Sequence, residues 1–532
     1  MEVFEIIIGL LLAGAALTLL SKRIGAPYPA LVALAGAGLA LVPGTPTLVL
    51  DPELALALFV APVLLDSAFD ASLRDLRANW RAVASLAVGA VALTIVVVAL
   101  VVRWLVPEMP WAVAVALGAI VAPPDAAAAT AVLKALRPPH RLMVILEGES
   151  LFNDASSLLI YRLAVGVALA GGSLSPGRAV PMLAGVILGS VALGLALPRV
   201  LLMVTSRVRD VAVAVVIQFC GCFAVWLLAE RLHLSGILTM VVFAMAVSRQ
   251  VGGSQPARLR IPSYAVWEFA VFVLNVLAFI LVGFQLKGIL SRLDTPTLVT
   301  YMGVAVAVCV ATIVARIAWV SGAAAVSRWW CRPREDGSPG PQDAVALSRK
   351  SAAVVGWCGM RGIVTLAAAL ALPTGGADGA AFPHRDLVLF CAFAVVLGTL
   401  VLQGLTLRPL MSWLKLKDDG SVEREVRLAR VEILRAALAA TAELPPGELA
   451  GLLRRRYELL LQRAETAQTG GGTSNGVEGA MEDDTRTVRQ ATSAERRRLL
   501  ALRHDGTIGD AAFQRLEQEL DFEELNLEGA AE

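Results

Sequence analysis

About thirteen apolar runs, each close to the ~20 residues that an α-helix needs to cross a hydrocarbon layer, follow one another through most of this sequence. They fall at 3–20, 27–43, 52–70, 80–104, 110–134, 142–170, 180–204, 211–230, 233–249, 264–288, 297–327, 347–373 and 386–413. Inside lipid every backbone N–H and C=O must be bonded within the protein, which leaves helices as the solution for runs of this length. The expectation is an all-α polytopic membrane protein. Composition agrees: 57% of residues are hydrophobic and 17% charged, against about 45–50% and about 25% in soluble domains.

Loop charges predict the orientation. Alternate loops carry Lys22/Arg23, Arg74/Arg77/Arg81, Lys134/Arg137/Arg141, Arg207/Arg209, Arg249/Arg258/Arg260 and Arg328/Arg332/Arg334/Arg349/Lys350, whereas the loops between them are poor in basic residues. The positive-inside rule then places the N-terminus outside and the C-terminus in the cytoplasm of a plasma (inner) membrane. Glu2 and Glu5 stand before and at the start of the first run and Lys22-Arg23 follow it, the reverse of a secretory signal, so this run reads as a spanning helix. Trp80, Trp104, Trp111, Trp329, Trp330 and Trp413 fall near span ends, as an interfacial belt requires.

The sequence divides into a transmembrane domain, 1–416, and a charged helical cytoplasmic tail, 417–532, with a flexible Gly/Ser-rich linker near 469–484. Six cysteines lie in or beside apolar runs without metal-ligand or disulfide spacing, and read as buried thiols. No cofactor and no nucleic-acid partner is expected.

Ionisable residues at membrane depth are costly and mark ion or proton pathways. Within the spans stand Asp66, Asp125, Glu147, Glu149, Asp154 and Glu268 against Arg162, Arg316 and Arg361. Three ion pairs leave carboxylates over, and surplus carboxylates need protons or cations. In "LEGESLFND", Glu147, Ser150 and Asp154 share one helical face, and Glu149 and Asn153 lie one turn apart on another. One stripe can hold an ion while the other fastens the helix to a neighbour. Two spans are interrupted: "GAIVAPPDAAAATAVL" by Pro123-Pro124 beside Asp125, and "GWCGMRGIVTLAAALALP" by glycines around Arg361. Broken helices in corresponding positions of two halves point to a transporter site, and match two six-helix repeats flanking a linker helix.

"SLFND", "APPDAAAATA", "WEFAVFVLNVLAFILVGFQL", "GMRGIVTLAAALALP" and "LVLQGLTLRPL" resemble the signatures of the monovalent cation:proton antiporter-1 family, the sodium/proton exchangers. The resemblance covers roughly 5–415. It implies thirteen transmembrane helices in two inverted six-helix repeats with broken crossing helices, and a homodimer in which a core moves against a dimerisation domain like an elevator. It implies that Asp154 binds cation and proton in turn, that Asn153 precedes it as in electroneutral exchangers, that Asp125 sits at the helix break, and that Ser150 and Asp66 help Asp154 to ligate Na⁺. Glu149 and Arg361 correspond to a structural ion pair. Many members carry Thr-Asp-Pro where this chain has Pro124-Asp125-Ala126, a departure that removes a hydroxyl from the break.

The expected activity is secondary antiport of Na⁺, or of Li⁺ or K⁺, against H⁺. Hard alkali cations suit oxygen ligands, and if one carboxylate titrates per cycle, one proton exchanges for one monovalent ion and the antiport is electroneutral. It is not an enzyme. A K⁺/H⁺ antiporter and a non-transporting sensor are the alternatives. An intramembrane aspartyl protease built on Asp125 and Asp154 is a remote one, because "APPD" and "FND" lack the sequence context of such a dyad.

Overall fold

The computed structural model describes residues 2–40, 52–136, 138–170, 176–205, 207–208, 210–251, 257–290, 294–330, 347–373, 382–416, 418–442 and 447–469, with isolated positions between 495 and 516. All regular structure among them is helical. The chain forms two compact units, Met1–Asp419 and Gly420–Glu532.

The first unit holds α1 (Glu2–Ile24), α2 (Tyr28–Ala40), α3 (Pro52–Asp70), α4 (Leu73–Ala84), α5 (Val91–Leu105), α6 (Trp111–Val121), α7 (Ala126–Leu136) and α8 (His140–Ala170). It continues with α9 (Pro176–Thr205), α10 (Val211–Arg231), α11 (Gly236–Val251), α12 (Ala257–Leu290), α13 (Thr295–Trp330), α14 (Arg349–Trp357), α15 (Ile363–Leu370) and α16 (Arg385–Leu414). Each apolar run of the sequence is thus helical over most of its described length, because only intrasegment bonding satisfies its backbone away from water.

Among the described residues six helical stretches are long and apolar enough to cross a membrane: Leu73–Leu105, Pro181–Thr205, Val211–Arg231, Arg260–Ile280, Thr295–Trp329 and Arg385–Leu414. This is fewer than the expected thirteen. Several of the remaining helices are short, such as Tyr28–Gly38, Trp111–Val121 and Gly236–Gln250. α8 is long but carries its charges in mid-helix, and two further runs are broken. Large apolar side chains such as Leu100, Leu188, Phe269, Val306 and Val314 face outward, and the exposed rings of Trp80, Trp104, Trp111, Trp329 and Trp413 lie toward helix ends. That pattern suits lipid contact with aromatic residues at the interfaces.

Between α4 and α5 the helix widens into a π-helical turn, Ser85–Ala90. Such a turn displaces backbone carbonyls from their usual partners. Here the Ser85 carbonyl accepts the Trp319 indole N–H at 3.0 Å, and the Ala87 carbonyl accepts the Ser156 hydroxyl at 2.6 Å. The wide turn thereby fastens α13 and α8 to one another.

Packing sorts the helices into two groups. α1, α2, α3, α9, α10, α11 and α12 pack among themselves, as do α4, α5, α6, α8, α13, α14 and α16. The half-helices α7 and α15 reach from the second group to α2 and α3 of the first. The reading of the cysteines as buried needs correcting at Cys220, which is exposed, and at Cys309, which is half-buried. Their helices present a face outward, and a thiol is apolar enough to stay there.

The second unit contains α17 (Ser421–Ala442) and α18 (Glu448–Thr469), packed on each other. Arg435 bonds Glu432 at 2.9 Å and Glu465 at 2.7 Å, joining the pair. The expected linker near 469–484 falls outside the described residues apart from its first position.

Candidate functional site

Two helices stop short and restart. In the first, Pro123 and Pro124 supply no N–H, and the N–H of Asp125 turns away from α6 to donate to the Met360 carbonyl at 2.7 Å. The carbonyls at the end of α6 therefore lack helical partners. In the second, residues 358–362 leave the helix between α14 and α15, with a tight turn at Cys358 where the Gly359 N–H donates to the Trp357 carbonyl at 2.7 Å. Arg361 fills the need that both breaks create. Its guanidinium, wholly buried, donates to Val121 O at 2.9 Å, to Ala122 O at 3.3 Å and to Gly359 O. Its own N–H bonds the Thr399 hydroxyl at 3.0 Å.

This corrects the expected Glu149–Arg361 pair. Glu149, 1% exposed, is held by Arg316 of α13 in a two-pronged bridge, one arm being Nη2 to Oε2 at 2.8 Å. Arg316 also donates to Val355 O at 3.2 and 3.0 Å. The physical reason is position: Arg361 stands in the second break within reach of the Val121, Ala122 and Gly359 carbonyls, while Arg316 projects from an unbroken helix and reaches Glu149 as well as the Val355 carbonyl. Arg162, the third arginine, is exposed and pairs with Glu230 at 2.5 Å. No arginine pairs with Asp154 among the described residues: Arg162 is taken by Glu230 and Arg316 by Glu149.

The two polar stripes of α8 go to different places. On one, Glu149 meets Arg316, and the Asn153 amide, fully buried, donates to the Pro124 carbonyl at 3.1 Å. On the other, Glu147, Ser150 and Asp154 line a cavity of about 450 Å³ between the two helix groups. Asp154 is 5% exposed. Asp125 enters the same cavity from the break, its carboxylate accepting the N–H of Ala127 at 2.8 Å and that of Ile363. Asp66 of α3 and Glu268 of α12 face them from the other group. Six expected residues, Asp154, Asp125, Ser150, Asp66, Glu147 and Glu268, are thus brought to one place, whereas Asn153, Glu149, Arg361, Arg316 and Arg162 are not among the residues lining it.

Other lining residues were not singled out from sequence. Asp70 and Lys134 stand at the ends of α3 and α7, where charges look like loop residues, and Tyr28, Asn275 and Thr365 are uncharged. Gly362 is required by packing: a side chain there would overlap the Asp125 carboxylate. The cavity runs from Asp154 toward Asp70 and Lys134, the helix ends that lead into basic loops. It is an acid-rich cavity between largely apolar helices, able to hold a cation against oxygen atoms and to take up protons.

Residues 7–413 match the transmembrane sodium/hydrogen exchanger family. The chain belongs to that family. It is a family of membrane transporters, not of enzymes. An uncharacterised Na⁺/H⁺ exchanger of Mycobacterium tuberculosis (strain ATCC 25618 / H37Rv) is 30% identical over 531 residues, covering 98% of this chain and 96% of the relative. A sodium, potassium, lithium and rubidium/H⁺ antiporter of Bacillus subtilis (strain 168) is 32% identical over 374 residues, 67% of this chain and 54% of the relative. The sodium proton antiporter MjNhaP1 of Methanocaldococcus jannaschii shares the fold with a TM-score of 0.58 at 17% identity, over 78% of this chain and 99% of that structure. The exchanger family's helical fold is therefore the frame in which this cavity sits.

Proposed function

We propose that this chain exchanges Na⁺ for H⁺ across the plasma membrane, one for one, with Asp154 as the shared site. The observation that carries this reading is the pairing of burial with access: Asp154 is 5% exposed in the middle of α8, yet lines a polar cavity with Asp125, Ser150 and Asp66. Deprotonated, Asp154 holds the cation with oxygens of Ser150 and Asp66, a set suited to hard alkali ions. Protonated, it releases the cation. Asp125 is tethered by two backbone N–H groups; it keeps the break in place and adds negative potential. If Asp154 alone changes protonation, no net charge moves.

The two-group packing supports an alternating-access reading. The group holding α8 and the breaks shifts against the panel of α2, α3 and α12, like an elevator, carrying the site from one side to the other; a homodimer would hold the panels still. With basic loops inside, the cavity opens to the cytoplasm. The relative of Bacillus subtilis, named for sodium, potassium, lithium and rubidium, supports a second reading in which K⁺ is also carried.

Proteoliposomes loaded with a pH-sensitive dye, given Na⁺, Li⁺ or K⁺ separately, test this. The wild type should show cation-dependent proton flux, and Asp154→Asn, which keeps size and hydrogen bonding, should show none at any pH while still folding. Near-normal exchange by Asp154→Asn would remove Asp154 from the mechanism.

A further inference from the structure

One residue of the cavity wall carries a buried hydroxyl without a partner among the described residues. Thr365, 1% exposed, stands in the first turn of α15 and is one of the lining residues, and its Oγ1 makes no hydrogen bond to any described residue. Three other buried threonines in the first unit turn their hydroxyls back to the carbonyl four residues earlier: Thr94 to Ala90 at 2.7 Å, Thr312 to Val308 at 2.7 Å and Thr399 to Val395 at 2.8 Å; Thr239 shares the unbonded state of Thr365 but is not among the residues lining the cavity. Thr365 lacks that option because the residue four back, Arg361, lies in the break, outside the helix. A buried hydroxyl left unbonded is costly, and in a native structure it calls for an occupant. Thr365 is also one turn on from Gly362, whose α-carbon rests against the Asp125 carboxylate. The first break, meanwhile, offers no hydroxyl of its own, since Pro124 precedes Asp125.

We propose that Thr365 supplies a neutral oxygen ligand to the transported monovalent cation, from the second break, and thereby sets which alkali ion is preferred. The inference rests on the exchange reading above. A neutral oxygen adds coordination without adding charge, so it tunes affinity among Li⁺, Na⁺ and K⁺ by reach and leaves the proton stoichiometry to the carboxylates. Asn275 of α12 lines the same chamber with its amide oxygen unbonded and offers a further neutral oxygen from the panel side.

The test compares Thr365→Val, which keeps shape and removes the hydroxyl, with Thr365→Ser, which keeps the hydroxyl. Thr239→Val serves as control, because Thr239 is buried with an unbonded hydroxyl but is not among the residues lining the cavity. In proteoliposomes Thr365→Val should raise the apparent KM for the preferred cation on the order of tenfold and change the order of Li⁺, Na⁺ and K⁺, as loss of one oxygen contact requires. Its maximal rate should hold, Thr365→Ser should restore the KM, and Thr239→Val should match wild type. An unchanged KM and cation order in Thr365→Val, or a fall in rate that Thr365→Ser does not rescue, would overturn the proposal. Cation-dependent stabilisation of the purified protein, followed as Tm against LiCl, NaCl and KCl, separates binding from transport. A wild type stabilised by cation but without proton flux would sink the exchange reading alone. A Thr365→Val protein stabilised at the same cation concentrations as wild type would sink the ligand assignment alone.

Discussion

The backbone N–H of Asp125 donates to the carbonyl of Met360 at 2.7 Å, joining the break in one interrupted helix directly to the break in the other. Arg361 reinforces the junction through Val121 and Ala122, and Asn153 reinforces it through Pro124. The carboxylate of Asp125 is thus aimed by backbone geometry on both sides, with no side chain of opposite charge bonded to it among the described residues. Unsatisfied carbonyls at membrane depth cost several kcal/mol each by general estimate, about as much as any single contact in the site. Wiring the breaks together is therefore a condition for placing the cavity where it is.

Glu149 and Arg316 form a buried ion pair within the bundle, so removing one partner strands the other. Breaking such a pair costs about 3–5 kcal/mol. Arg316→Ala should lower Tm in detergent strongly, and the double variant Glu149→Leu/Arg316→Met should recover most of the loss. A double variant as unstable as Arg316→Ala would show that the arginine acts mainly through Val355.

Close approach at Gly362 leads to a second expectation. Gly362→Ala drives a methyl group into the Asp125 carboxylate and should abolish cation-dependent proton flux. Gly356→Ala, where a methyl group meets only ordinary contacts at 3.6 Å or beyond, should leave flux near wild type. Equal activity of the two variants would separate the break's geometry from transport.

Asn153 tests stability and stoichiometry separately. Asn153→Ala leaves the Pro124 carbonyl without its donor and should cost about 1–3 kcal/mol, measured as a fall in Tm. Asn153→Asp introduces a second carboxyl beside Asp154. If it carries its own proton through the cycle, exchange becomes electrogenic, and flux in proteoliposomes should respond to a potassium diffusion potential that leaves the wild type unaffected.

The two compact units predict separable behaviour. A chain ending at Asp419 should insert and retain measurable exchange, with any change confined to its pH profile. Complete loss of flux from a correctly inserted truncation would make the second unit part of the transport machine.

Much of the fold was legible in the sequence because lipid leaves few options. Apolar runs of spanning length must be helical, and Pro123-Pro124 cannot continue a helix. The division of α8 into two stripes was also legible, since Glu147, Ser150 and Asp154 fall on one face by helical repeat alone, and the cavity collects them. Asp70 and Lys134 were hidden by their position at helix ends, where a charge is ordinary. Thr365 was hidden because a threonine in an apolar helix usually bonds its own backbone; its availability depends on the break that precedes it.

By itself the sequence determined where polar groups stand along each helix, because local periodicity and the cost of charge in lipid are read from neighbours in the chain. Only the tertiary structure decided which arginine meets Glu149. Arg316 and Arg361 are equally charged and both deeply buried. Their fates diverge because helix breaks far apart in sequence bring the Val121, Ala122 and Gly359 carbonyls to Arg361, while Arg316, on an unbroken helix, reaches Glu149 together with the Val355 carbonyl.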